Sequence, residues 1–133
     1  MRDREPEPWL DRAEQDLEAA RILARAQHPV LEIAAYQQSA EKLLKGMLIA
    51  MENRPPRTHQ IKNLIAMIPQ TDPARQDLQG LDNLDSYFRA FRYPDSDISV
   101  DVPSSADLDR WSDELERLMA AIRARIDSDG KLT

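Results

Sequence analysis

Two stretches carry side chains whose types and spacing could bind or move a charged group. In AAYQQSAEKLLKGML, residues 34–48, a turn of about 100° per residue puts Ala34, Leu44 and Leu48 in one apolar sector with Ile33, Met47 and Met51. Gln37 and Glu41 fall on that same seam. A carboxylate on a packing face needs partners, because desolvating it alone costs several kcal/mol. YFRAFRYPD, residues 87–95, ends a helix along which Leu81, Asp85, Phe88 and Arg92 follow a second seam, and a guanidinium stands where the apolar stripe continues. Its planar fork suits a carboxylate or a phosphate. Complementary polar groups on two packing sides point to a polar crevice between helices. The competing readings are a solvated edge, in which Glu41 pairs only with Lys45 for about 0.3–0.5 kcal/mol, and a purely structural Glu41–Arg92 ion pair.

A third stretch, RPPRTHQI at 54–61, places His59 at the entry of a helix whose free N–H groups could receive an anion. The plainer reading is a helix-entry histidine without a chemical task. His28, beside Pro29 in a turn, reads as a surface residue. With only two histidines, no cysteine and no HExxH pattern, a metal site is not expected. Mg²⁺ would enter only with a bound nucleotide. No glycine-flanked serine suggests a hydrolase triad. The acidic run DSDISVD, 95–101, reads as a solvated loop.

These residues need helices to position them, and the 3.6-residue apolar period provides helices nearly everywhere. The first is expected from Pro8 to Gln27, with Leu10, Ala13, Leu17, Ala20 and Ala24 as its stripe, ending at His28-Pro29. The second runs from Val30 to Asn53 and stops at Pro55-Pro56. Thr58 is expected to cap a short third helix carrying Ile61, Leu64, Ile65 and Ile68, closed by Pro69. Asp72-Pro73 opens a fourth, with Leu78, Leu81, Leu84, Phe88 and Phe91 on one face, broken at Tyr93-Pro94. A loop follows, with a brief extended piece at Ile98–Val102. Ser104 caps the last helix, with Asp107 in the capping-box position and Leu108, Trp111, Leu115, Leu118, Ile122 and Ile126 as its stripe. The tail DSDGKLT is expected to fray. The expected fold is all-α: an antiparallel bundle of four main helices plus one short helix, spanning 8–126 with short tails at 1–7 and 127–133.

Composition bounds the function. The 133 residues suit one domain with a real core. Apolar residues make up 41% and charged residues 32%, a globular balance. Three glycines leave little room for a phosphate-cradling loop. A net charge of −6 argues against bulk DNA binding, which rests on phosphate neutralisation, although Arg54, Arg57, His59 and Lys62 form a local basic patch. No apolar run reaches membrane-spanning length, and the start MRDREPEPW does not read as a signal peptide, so the cytoplasm is the expected compartment.

The order AEQDLEAA, YQQSAEKLLKGML, RTHQI, FRYPD and an amphipathic last helix resembles the HEPN family, named for nucleotide binding in higher eukaryotes and prokaryotes. The resemblance covers roughly residues 8–126, and QQxxEKxLK, TH and RYPD carry most of it. It implies a helical bundle that commonly dimerises and often pairs with a minimal nucleotidyltransferase in toxin–antitoxin-like modules. It implies a nucleotide or RNA as ligand and no resident cofactor. The positions matching the family pattern are Gln37, Gln38, Glu41, Lys45, Thr58, His59, Arg92, Tyr93 and Asp95. Many members are metal-independent ribonucleases marked by an arginine, four to six residues and a histidine late in the bundle. There the arginine holds the phosphate and the histidine moves the proton. Here no histidine follows Arg92, and Arg54-PPRT-His59 matches that spacing in a different place, between the second and third helices. The resemblance therefore implies a noncatalytic, dimeric binding module first. A ribonuclease using His59 with Arg54, Arg57 or Arg92 is the alternative, and a purely structural pairing module is the third.

Overall fold

The computed structural model describes residues 5–92 and 102–133, with side chains described up to Ala90 and from Val102 onward. Six helices are found among these residues: α1 Pro6–Arg25, α2 Pro29–Ala50, α3 Ile61–Ala66, α4 Arg75–Gln79, α5 Leu84–Arg92 and α6 Ser105–Arg125. The chain is all-α, as the periodicity predicts.

Prolines set both early helix starts. Pro6 and Pro29 sit in the first turns of α1 and α2, where a missing N–H costs nothing. Both helices end in the same way, by a left-handed residue that redirects the chain. Gln27 has φ +60° and Glu52 φ +62°. His28 N–H then reaches back to the Leu23 carbonyl at 3.0 Å, and Asn53 N–H to that of Leu48 at 2.9 Å. These are Schellman closures, with a bulky residue where glycine is usual. The short connection after Arg25 makes α1 and α2 an antiparallel hairpin.

α2 is the spine. Fourteen of its 22 residues are buried, so it has no true solvent face. α1 lays Leu10, Ala13, Leu17 and Ala20 against it. Small residues let the backbones approach: Ser39 donates to the Ala13 carbonyl at 2.8 Å, and a Cβ on Gly46 would stand 3.1 Å from that of Trp9. α6 packs on both long partners through Leu108, Trp111, Leu115, Leu118, Met119 and Ile122. Ser104 caps it, its hydroxyl accepting from Asp107 N–H at 3.2 Å.

Two expectations are corrected. The fourth helix is not continuous: turns at residues 80–83 divide it into α4 and α5. Gly80 interrupts the stripe there, and glycine is a poor helix former. Leu78, Leu81 and Leu84 are all buried even so. Nor does the tail fray. Ile126 and Leu132 form an antiparallel bridge, and Leu132 N–H donates to the Ala50 carbonyl at 2.8 Å, tying the tail to the end of α2. Asp127 organises the turn, its carboxylate accepting from the Asp129 and Lys131 amides, while Gly130 supplies φ +77°. Arg125 grips Asp72 with both terminal nitrogens, at 3.0 and 2.9 Å, and donates to the Thr133 carbonyl. The break at Tyr93-Pro94 and the extended piece at Ile98–Val102 fall on residues outside those described, except Val102, which is exposed. No helix among the described residues is long and apolar enough to cross a membrane.

Two outcomes follow. Gln27→Gly should raise stability by about 0.5–1 kcal/mol in denaturant melts, by relieving a left-handed non-glycine residue. The Arg125 guanidinium holds the Asp72 carboxyl below its usual range, against the opposing effect of burial. That contribution is fully present above the ordinary carboxylate range and is lost as pH falls below that range, through the depressed pKa of the folded state. Asp72→Asn should therefore cost about 1–3 kcal/mol at neutral pH, and progressively less as pH is taken below the ordinary carboxylate range.

A polar corner between α2 and the α2–α3 connection

Enclosure of α2 explains its polar seam: each polar group is met by a neighbouring element. Gln37 donates from Nε2 to the His59 carbonyl at 2.6 Å. One helical turn later, the Glu41 carboxylate receives Lys45 Nζ at 3.2 Å and lies 3.7 Å from Lys42 Nζ. His59 Nδ1 sits 3.1 Å from its other oxygen. The side chains of Glu41 and Lys45 are 6% and 9% exposed, and that of His59 is 81% exposed. A buried carboxylate thus carries two ammonium groups and orients an imidazole that stands in water. With Nδ1 engaged, Nε2 is the ring nitrogen left for a ligand.

This bears directly on the three sequence readings. The Glu41–Lys45 pair exists, but it belongs to a buried cluster and not to a solvated edge. Among the described side chains, the partners of Glu41 are Lys42, Lys45 and His59. The side chain of Arg92 and all of Tyr93 and Asp95 lie outside the described residues, so the Glu41–Arg92 pairing does too. Gln38 is exposed, away from the seam. Arg54 and Arg57 are exposed on the connection that carries His59, and Lys62 is exposed on α3.

The entry of α3 differs from expectation. Thr58 does not cap it; its hydroxyl accepts from Gln60 N–H at 3.2 Å, before the helix begins. Asp85 of α5 caps it from across the fold, accepting from Ile61 N–H at 2.9 Å and Lys62 N–H at 3.0 Å. The anion that sequence reasoning placed at this helix end is therefore a residue of the chain itself. A ligand at this corner would meet side-chain cations and not the α3 amides.

Sequence reasoning also missed a second buried polar group. Tyr36 donates its hydroxyl to Glu32 at 2.5 Å, one turn earlier on α2. Burial pushes the Glu32 carboxyl up, the Tyr36 bond opposes this, and Asp109 adds to it. Burial, then the Glu32 partner, also push the Tyr36 hydroxyl up. The i,i+4 spacing of glutamate and tyrosine was the available signal, but the α6 side chains that enclose it are remote in sequence. Arg21 of α1 donates to Ser112 of α6 at 2.9 Å nearby in the three-helix packing. Among the described residues, no group of three or more His, Asp or Glu side chains is placed to hold a metal ion.

Removing the carboxylate strands two ammonium groups, one of them buried. Glu41→Ala should cost about 2–4 kcal/mol, and His59→Ala under about 1 kcal/mol because its ring is solvated. Paired urea melts check both, and equal losses would contradict this account of the corner.

Comparison with curated proteins returns no match. The fold is similar to the crystal structure of TT1696 from Thermus thermophilus, with a TM-score of 0.73 and 24% identity, covering 90% of this chain and 96% of that one. At that identity the likeness is one of fold. The family model for the HEPN domain matches residues 6–125, which takes in all six helices, the polar seam of α2 and His59. The chain belongs to the HEPN domain family.

Proposed function

We propose that this protein is a cytoplasmic, dimeric HEPN module that binds the phosphate of a nucleotide or RNA at the His59 corner and acts beside a minimal nucleotidyltransferase in a toxin–antitoxin-like pair. The observation that carries the ligand reading is a local excess of positive charge. In a chain of net charge −6, one carboxylate is matched by two lysines and a histidine. A single cation would neutralise Glu41. The surplus, with Arg54 and Arg57 exposed on the same connection, is arranged for an anion from outside. Arg92, which closes α5, is the further phosphate ligand expected from the family pattern, with Tyr93 and Asp95 following it. The partner and the dimer are proposed on family membership.

Calorimetry with ATP, GTP and short RNAs tests the site. Lys45→Ala and Arg92→Ala should each weaken binding about tenfold or more, equivalent to about 1.4 kcal/mol, and affinity should fall with added salt. Affinity unchanged in both variants would remove the assigned site. Light scattering tests the dimer, and copurification of a small nucleotidyltransferase encoded next to this gene tests the partner.

One observation favours a second reading, a metal-independent ribonuclease. A buried carboxylate on Nδ1 and a solvated ring are what a histidine general base requires. Nε2 would take the proton of an RNA 2′-hydroxyl as that oxygen bonds to phosphorus, with Arg54 or Arg57 on the phosphate. The 5′-oxygen would leave, protonated from solvent. Cleavage of tRNA or mRNA by the wild-type protein and not by His59→Ala would replace the binding-only reading. No binding and no cleavage would leave a pairing module.

A further inference from the structure

Trp9 belongs neither to the buried core nor to the polar corner. It lies in the first turns of α1, partly exposed, with its Cβ against Gly46 of α2. The other tryptophan, Trp111, is 7% exposed and packs beside Tyr36 and Tyr87. Lys45 Nζ stands over the Trp9 ring, 5.9 Å from its centroid. That same ammonium is 3.2 Å from Glu41 Oε2, and His59 Nδ1 is 3.3 Å from that oxygen. Three consecutive contacts therefore lead from an indole with solvent-facing surface to a solvated imidazole.

The chemistry at the two ends is complementary. At the His59 end the cations converge on one carboxylate, so they are too close together to follow a run of backbone phosphates and suit a single phosphate. At the Trp9 end there is a flat π surface of the kind on which nucleobases stack. Lys45 serves both ends: it fixes the ring by a cation–π contact and contributes charge to the phosphate end. We propose that Trp9 is the base-stacking residue of a one-nucleotide site whose phosphate is held by His59, Lys42 and Lys45. This rests on the phosphate-binding reading above and adds the base, which that reading does not need. The ligand is a nucleoside monophosphate, free or as the terminal nucleotide of a strand.

The test compares AMP, ribose 5-phosphate and adenosine, read by calorimetry and by tryptophan emission, in which Trp9 is the ring open to direct quenching by a ligand, Trp111 being buried and contributing a constant background. Saturable quenching of the wild-type protein is expected with AMP and not with ribose 5-phosphate. Trp9→Leu should weaken AMP binding about 5- to 150-fold, the range for loss of one base–aromatic stack, and leave ribose 5-phosphate binding unchanged. Trp9→Phe should retain most of the AMP affinity. Equal wild-type affinity for AMP and ribose 5-phosphate, or AMP binding indifferent to Trp9→Leu, would overturn the stacking role while leaving the phosphate site standing. Failure of all three ligands to bind would remove both. If Trp9→Leu does not fold, judged by its thermal melt, the wild-type contrast between AMP and ribose 5-phosphate decides alone. Competition against AMP by RNA with a 5′-phosphate, and not by the same RNA with a 5′-hydroxyl, would assign the site to a strand end; lack of competition would assign it to the free nucleotide.

Discussion

A helix enclosed on nearly every side cannot leave a polar group to bulk water, and α2 is such a helix. Unpaired burial of its polar side chains would cost several kcal/mol each, a large share of the stability of a domain this size. Each one therefore has a partner from another turn or another element: Glu32 with Tyr36, Gln37 with the His59 carbonyl, Ser39 with the Ala13 carbonyl, and Glu41 with Lys42, Lys45 and His59. These bonds also route the chain. Gln37 and Glu41 together hold the connection after α2 by backbone and by ring, so the residues that make the spine acceptable to a core are the ones that fix His59 in place.

That economy gives the corner its electrostatic character. Neutralising one carboxylate with more than one cation leaves net positive charge where the exposed imidazole emerges. The neighbouring α3 entry contributes no further attraction, because Asp85 already satisfies its amides. The corner and its boundary are thus set by two carboxylates on different helices. One gathers cations around itself, and the other closes a helix end. Lys45 extends the same arrangement toward Trp9, so a buried ion pair links the corner to a partly exposed ring.

The far end of the bundle is held by a different device. The last residues fold back on the end of α2, where Leu132 meets the Ala50 carbonyl, while Arg125 joins Asp72 to Thr133. Glu52, in its left-handed conformation, stands where α2 gives way to the connection and pairs with Lys131 of the tail at 3.6 Å. Both ends of the α2–α3 connection are therefore anchored: the near end by the tail, the far end by the polar seam.

Much of this was legible in the residues themselves. The 3.6 period, the proline at 29 and the Ser104 cap act within a few residues of chain, so they fix helix type and those helix starts before any packing occurs, while the prolines at 55-56 and 69 bound α2 and α3 only to within a few residues of their ends at Ala50 and Ala66. The anomaly of Gln37 and Glu41 was equally visible, since helical spacing alone puts them on the packing seam. What met them was not legible. His59 lies 18 residues from Glu41, Asp85 lies 24 from Ile61, and Asp72 lies 53 from Arg125. No local rule reaches that far. The ordered tail follows the same logic: local propensity predicts a frayed end, and the bond from Leu132 to Ala50 decides otherwise, whereas the split between α4 and α5 has a local signal in Gly80 that the continuous stripe outweighed. Sequence alone determined the helices and the oddity of a polar seam, because backbone geometry and side-chain period are short-range. Only the tertiary structure decided which groups satisfy that seam, because a buried charge takes whichever partner the fold brings within hydrogen-bond reach.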